Sequence, residues 1–191
     1  MNPEEFKKRW LPDKNLKWMV FDQKELAKSP LKEATKLFLK NGFPKSAAPF
    51  LGFGSIDNDK KFYNIYDYFR ESYKDLNEKT KHYWIFGSDG CGDIICFDTA
   101  NEDRILILNH ESDFEIMNTL NRSVAELAQC LLFFKEFIQQ IRTELGDGAF
   151  QKNKYTPSHV NDLKQRFLSI NPNIFIESSF WEDEINRLIP R

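Results

Sequence analysis

The chain has 191 residues, of which 41% are hydrophobic, 29% charged and 15% aromatic, with 18 Phe. That is about one domain at ~100–200 residues each, and it is too apolar and aromatic for a disordered chain. No stretch approaches the ~20 apolar residues of a membrane span; Trp18-Met19-Val20-Phe21 and Cys130-Leu131-Leu132-Phe133-Phe134 are among the longest runs. The N-terminus, Met1-Asn2-Pro3-Glu4-Glu5-Phe6-Lys7, lacks the apolar core of a signal peptide. Three cysteines without paired spacing fit a reducing compartment. The expectation is a cytoplasmic protein that needs neither disulfide nor metal to hold its core.

A net charge of −2 argues against direct nucleic-acid binding, which leaves a basic footprint. The even total hides an asymmetry. Residues 1–81 carry 17 Lys/Arg against 12 Asp/Glu, and residues 82–191 carry 10 against 17. Within His82–Glu115, Asp89, Asp93, Asp98, Glu102, Asp103, Glu111, Asp113 and Glu115 face a single base, Arg104. Such a one-sign segment can steer a basic partner, or it can be a solvated face with no partner.

In chain order, Asn2-Pro3-Glu4-Glu5 predicts a helix start, with an Asn cap, Pro in the first turn and acids near the positive end of the dipole. Phe6 and Trp10 share its face, and Leu11-Pro12 ends it. Leu16–Phe21 reads as a short strand. Ser29-Pro30 opens a second helix with Leu31, Ala34, Leu37 and Phe38 on one face, closed by Gly42. Ala48–Phe53 is a strand entry.

The middle is β. Tyr83–Phe86 and Asp93–Asp98 flank the loop Gly87-Ser88-Asp89-Gly90-Cys91-Gly92, where Asp89-Gly90 is a strong hairpin signal. A turn over Thr99–Asp103 leads to Arg104–Asn109, so continuously apolar that this strand is covered on both faces or sits centrally. Phe114–Met117 adds another strand. Short loops between consecutive strands predict an antiparallel meander. Ser123-Val124-Ala125-Glu126 is a capping box. It opens the clearest helix, whose Val124, Leu127, Ala128, Leu131, Phe134, Ile138, Ile141 and Leu145 form one stripe. About 22 residues at 1.5 Å each span ~33 Å, enough to cross a sheet. Gly146 and Gly148 end it. Thr156-Pro157 starts a helix bearing Val160, Leu163 and Phe167, and Ser179-Phe180-Trp181-Glu182 is a second capping box opening the last one.

Catalytic patterns are weak. The Gly-rich loop lacks the Lys-Ser/Thr of a phosphate loop, is followed by a strand, and carries Asp89 and Asp93, which repel phosphate. Cys91 and Cys96 lack zinc-ribbon spacing, His110-Glu111 has no second histidine four positions on, and no nucleophile elbow occurs. No cofactor, metal or catalytic residue is assigned; an enzyme with scattered catalytic residues ranks behind two binding readings. The aromatic run Phe62–Phe69 lacks the Lys and Arg of a base-stacking platform and reads as core or protein interface.

The order of these pieces resembles the SUKH superfamily. Trp84-Ile85-Phe86-Gly87-Ser88-Asp89-Gly90-Cys91-Gly92-Asp93-Ile94-Ile95-Cys96-Phe97-Asp98 is similar to that family's glycine-rich hairpin, and Phe38-Leu39-Lys40-Asn41-Gly42-Phe43-Pro44 to its Leu-x-x-Gly-Leu-Pro segment, with Phe43 for Leu. Met117–Ser123 resembles the Asn-x-Ser entry to the long helix, and Phe180-Trp181 after Ile170-Asn171-Pro172 resembles the tail of a bacterial immunity-protein branch. The resemblance implies an α+β fold over residues 1–191, an antiparallel sheet packed by helices with one long helix across it and a helical C-terminal tail. It also implies no catalysis and a protein partner rather than nucleic acid or membrane. That partner would be a cognate toxin, a nuclease or deaminase domain, neutralised by direct association; the alternative is a regulatory scaffold like the fungal cell-wall-synthesis regulators. For a basic toxin, the candidate contacts are Asp89, Asp93, Asp98, Glu102, Asp103, Glu111 and Asp113.

Overall fold

The computed structural model describes residues 1–11, 17–56, 61–73 and 75–189. Its first element, α1 (Pro3–Trp10), begins where Asn2 accepts from the Glu5 N–H at 2.8 Å, and it buries Phe6 and Trp10. Of the strand expected over Leu16–Phe21, only Trp18–Met19 (β1) is strand; Leu16, like Pro12, lies outside the described residues. A helix the sequence reading missed follows, α2 (Gln23–Lys28). Asp22 caps it by accepting from the Glu25 and Lys24 N–H groups, and those bonds hold the Asp22 carboxyl below its usual range.

Ser29 closes α2 instead of opening the next helix, because its hydroxyl donates to Leu26 O at 2.7 Å. Helix α3 (Glu33–Lys40) therefore starts later than expected, and its face is rotated. Thr35, Phe38 and Leu39 are buried beside Leu31, while Ala34 is exposed and Leu37 is 58% exposed. Gly42 ends the element at φ +86; a Cβ there would stand 2.3 Å from Met19 O. Only glycine lets β2 (Phe43–Pro44) approach β1, with which it forms a separate antiparallel ribbon.

The main sheet is the expected meander. Strands β3 (Ser46–Ala47), β4 (Leu51–Phe53), β5 (Tyr83–Ser88), β6 (Ile94–Asp98), β7 (Arg104–Asn109) and β8 (Glu115–Asn121) lie side by side in chain order, every pair antiparallel. A short helix, α4 (Ile65–Phe69), and a 3₁₀ turn (Glu78–His82) stand between β4 and β5. At Gly87 a Cβ would come within 2.0 Å of Gly52 O, so the glycine permits the β4–β5 pairing beside the bulge at Ile85/Gly87. Strand β8 begins one residue after Phe114, which sits in the preceding turn at φ 60, and it runs to Asn121.

Period-two alternation sorts the sheet into two cores. Ile95, Phe97, Ile105 and Ile107 join the larger cluster with the long helix α5 (Val124–Leu145). Ile94, Cys96, Leu106 and Leu108 join a second cluster with Ile65 and Phe114, edged by Tyr63, Tyr68, Phe69 and Tyr73. Strands β6 and β7 are thus covered on both faces, which is why they read as continuous apolar runs. The aromatic stretch Phe62–Phe69 supplies core: Phe62 stacks on Trp84 at 5.5 Å and Phe69 meets Phe114 at 4.8 Å.

Helix α5 has the expected bounds and 22 residues. Its buried set is Val124, Leu127, Ala128, Cys130, Leu131, Leu132, Phe134, Phe137 and Ile141, whereas Leu145 is 40% exposed. Only half of the predicted capping box forms. Ser123 Oγ accepts from the Glu126 N–H, but the Glu126 carboxylate turns away to Asn121 and Asn171. Helix α6 (Pro157–Ile170) buries Val160, Leu163 and Phe167, and the short α7 (Ile174–Glu177) was not foreseen. The last helix, α8 (Ser179–Arg187), is capped by Ser178 rather than Ser179, and Trp181 anchors it through Nε1 to Asn121 Oδ1 at 3.0 Å.

Candidate functional site

In a meander, alternate turns fall at opposite ends of the sheet. The turn after β5 (residues 89–93), the turn after β7 (110–114) and the turn between β3 and β4 (48–50) share one end; the turn after β6 (99–103) lies at the other. Five residues of β6 at ~3.3 Å each separate the ends by roughly 17 Å, beyond the ~8–10 Å over which exposed charges act in physiological salt. The seven acidic residues singled out from the sequence therefore do not form one patch.

At the far end the acids are structural. Asp98 is 4% exposed and accepts from the Ala100 N–H and from Asn101 Nδ2, tying its own turn. Asp103 is 2% exposed and reaches across to α3, accepting from the Lys32 N–H and Thr35 Oγ1, each at 2.7 Å. Lys32 has no side-chain cap of its own, so Asp103 is the N-terminal cap of α3 supplied from another element. Glu102 is exposed but ion-paired to Lys32.

At the near end the turns are stitched together. Asp89 Oδ1 accepts from the N–H groups of Cys91 and Asp93 at 2.8 and 2.9 Å, closing the glycine-rich hairpin. Buried Asp93 bridges to the next turn, its Oδ1 accepting from the His110 N–H and meeting His110 Nδ1 at 2.8 Å. Asn109 Oδ1 accepts from the Glu111 N–H at 2.8 Å. Asp113 and Phe114 follow at positive φ, which drives Phe114 into the second core and leaves Glu111 and Asp113 exposed. Among the described residues, Asp89, Glu111 and Asp113 have no cationic partner.

The same end carries a residue the sequence reading missed. Phe50, at φ 56, is 87% exposed and stands against the hairpin; a Cβ on Gly90 would be 3.1 Å from Phe50 Cβ. Its only sequence signal is an aromatic directly after Ala48-Pro49, a turn pattern read as a strand entry. Two clefts flank this end. One of about 420 Å³ lies over β4 and β5, lined by Lys45, Phe53, Phe69, Tyr73, His110 and Phe114 among others. The other, about 480 Å³, lies between the turns and α8, with Phe50, Asp89, Met117, Phe180, Asp183 and Arg187 in its wall.

The groups that could be reactive are spent on structure. His110 and Asp93 spend their contact on joining two turns, and burial pushes the Cys96 and Cys130 thiols far above their usual range. Among the described residues no group of three or more His, Cys, Asp or Glu could hold a metal ion, and no helix is long and apolar enough to cross a membrane. Exposed aromatic and acidic side chains on turns are what a protein interface uses as anchor and rim.

A sequence model of the family described as SMI1 / KNR4 family (SUKH-1) matches residues 24–129. That stretch runs from α2 into the start of α5 and holds all six strands of the main sheet. No curated protein and no solved structure matches the chain.

Proposed function

The chain belongs to the SMI1 / KNR4 family (SUKH-1), and from that premise we propose that it is an immunity protein that binds and neutralises a cognate toxin by direct association. At the family level the membership covers immunity proteins and SMI1/KNR4-like regulators, generally without catalysis. The observation that carries the finer reading is the near end of the sheet, where Phe50 projects beside the hairpin of Asp89, and where, among the described residues, Asp89, Glu111 and Asp113 have no cationic partner. A nuclease or nucleic-acid deaminase presents a basic substrate groove. An acidic end of the sheet that also carries an exposed aromatic complements such a groove in charge and supplies an anchor. In this reading residues 1–191 act as one unit in the cytoplasm, and Asp93, Asp98 and Asp103 serve the interface only by holding the turns.

The experiment is co-expression with the product of the neighbouring reading frame, tested as the toxin, paired with association kinetics of the purified proteins. Glu111→Lys with Asp113→Lys slows association several-fold at low salt and converges with wild type at high salt, because rim charges act mainly on the encounter rate. Phe50→Ala raises the dissociation rate instead. If wild type neither binds the toxin nor protects cells, the regulatory reading of the family replaces this one.

A further inference from the structure

The main sheet has two open edges, and they are unequal. Strand β3 offers two residues, whereas β8 offers seven and has no strand on its outer side among the described residues. The C-terminal part of β8 is held by the last helices, through Asn118 to Ser179 and Asn121 to Trp181. Its first three residues, Glu115–Met117, are exposed, and two of them are large and apolar: Ile116 at 55% and Met117 at 49%. Natural edges are usually short, charged, bulged or covered, since unpaired backbone groups invite another strand; β8 has one such irregularity, a register shift opposite Ile107/Leu108 that leaves Met117 without a register partner on β7. Here the open stretch carries apolar side chains on both faces, Ile116 opposite Leu108 of the second core and Met117 in the cleft shared with Phe50 and Phe180.

We propose that the outer edge of β8 at Ile116–Met117, just past Glu115 whose own N–H is held by Ser112 O, accepts an extended, basic segment of a partner protein as an added strand. The inference deepens the immunity reading by naming how the partner is held, and it rests on that reading for who the partner is. Charge selects the occupant. Glu111, Asp113 and Glu115 lead into the edge, and Asp89 and Asp183 line the cleft beside Met117. The one basic residue in that cleft wall, Arg187, is ion-paired to Glu184. A second copy of this chain would bring two such acidic rims together and be repelled. A strand with lysine or arginine at alternate positions would place cations among these carboxylates while its main chain pairs with β8. Its intervening apolar side chains would cover Ile116 or Met117.

The test uses a blocked peptide alternating lysine and valine, and a control of equal length and charge with proline in place of valine. Amide hydrogen exchange of the whole protein is followed with each. The lysine–valine peptide slows exchange at residues 116–117 by about tenfold or more at saturation, and the proline peptide does not, since it cannot donate to a ladder. Ile116→Lys with Met117→Lys, both at exposed positions, weakens the lysine–valine peptide, while Glu102→Lys at the other end of the sheet leaves it unchanged. No binding, equal binding of both peptides without protection of the edge, or protection confined to β3 would each overturn strand addition. None of those outcomes bears on toxin protection in cells; conversely, edge protection in a chain that fails to neutralise the toxin overturns the immunity reading alone.

Discussion

Asp103 gives the sharpest test of how the sheet and the helices are joined. Its carboxylate is 2% exposed and satisfies two donors on α3, the Lys32 N–H and the Thr35 hydroxyl, each at 2.7 Å. Removing it takes away a helix cap, about 1 kcal/mol, and leaves two donors without a partner in a site water barely reaches, at about 1–3 kcal/mol for a buried group. Allowing for overlap, the loss is about 3 kcal/mol, a large share of the ~5–15 kcal/mol that holds a domain folded. Asp103 also sits at φ 59, so Asp103→Ala adds left-handed strain, and Asp103→Gly is the cleaner truncation. Asp103→Asn tolerates that φ and can still accept. It loses charge assistance and the dipole term of ~0.3–1 kcal/mol, for about 1 kcal/mol in all. Urea unfolding of the three variants, with Thr35→Val and the Asp103→Gly/Thr35→Val double mutant, measures the coupling directly. A cost below about 0.5 kcal/mol for Asp103→Gly would refute the cap.

Leu131, fully buried in α5, costs about 2–5 kcal/mol on truncation to Ala in the same assay; a loss under 1 kcal/mol would mean the helix does not pack as described. A thiol reagent labels exposed Cys91 in the folded protein and spares Cys96 and Cys130 until denaturant is added, because burial keeps both protonated and out of reach. Burial likewise raises the Glu184 carboxyl above its ordinary value, with Arg187 only partly opposing it. A carboxyl raised in the folded state binds its proton more tightly there, so its contribution favours folding at low pH and is lost as pH rises through the folded value. Glu184→Gln accordingly raises Tm at pH 7, and the gain vanishes below about pH 4, where the wild-type group is protonated in both states. A gain independent of pH would rule out the ionisation as its source.

Much of the fold was legible because its signals are local. Asn2-Pro3 fixes α1 through one side-chain bond and one missing donor, and the alternation of β6 and β7 records two covered faces directly. Where a helix cap was misassigned, another partner competes for it. Ser29-Pro30 reads as a helix start, but the cap that α3 uses is Asp103, some seventy residues on. Ser123 and Glu126 have the spacing of a reciprocal box, yet Asn121 and Asn171 claim the glutamate. Small elements escaped because so few residues carry no period: strands β2 and β3, helices α2 and α4, the 3₁₀ turn and the turn-like α7.

The candidate site shows the same division, with one part that could have been read earlier. Once four consecutive strands are taken as a meander, connectivity alone sends residues 89–93 and 110–114 to one end and 99–103 to the other, so the acidic segment had to split. What the sequence could not say is which carboxylates are spent internally. Asp89 and Asp93 are four residues apart in one turn. Asp89 is half-buried and accepts from the N–H groups of its own hairpin, while Asp93 is buried against His110, because the turn after β7 folds back over it. Phe50 escaped for the complementary reason: exposure at positive φ leaves no hydrophobic pattern to detect. The acids that have no cationic partner among the described residues and the aromatic that remains uncovered lie at a single end of the sheet, as does the open half of β8. A partner arriving there would find charge to slow its rotation away, an aromatic to grip and backbone to pair with, three contributions that separate cleanly in measurement. Charge reversal acts on the salt-dependent association rate, Phe50→Ala on dissociation, and strand pairing on hydrogen exchange.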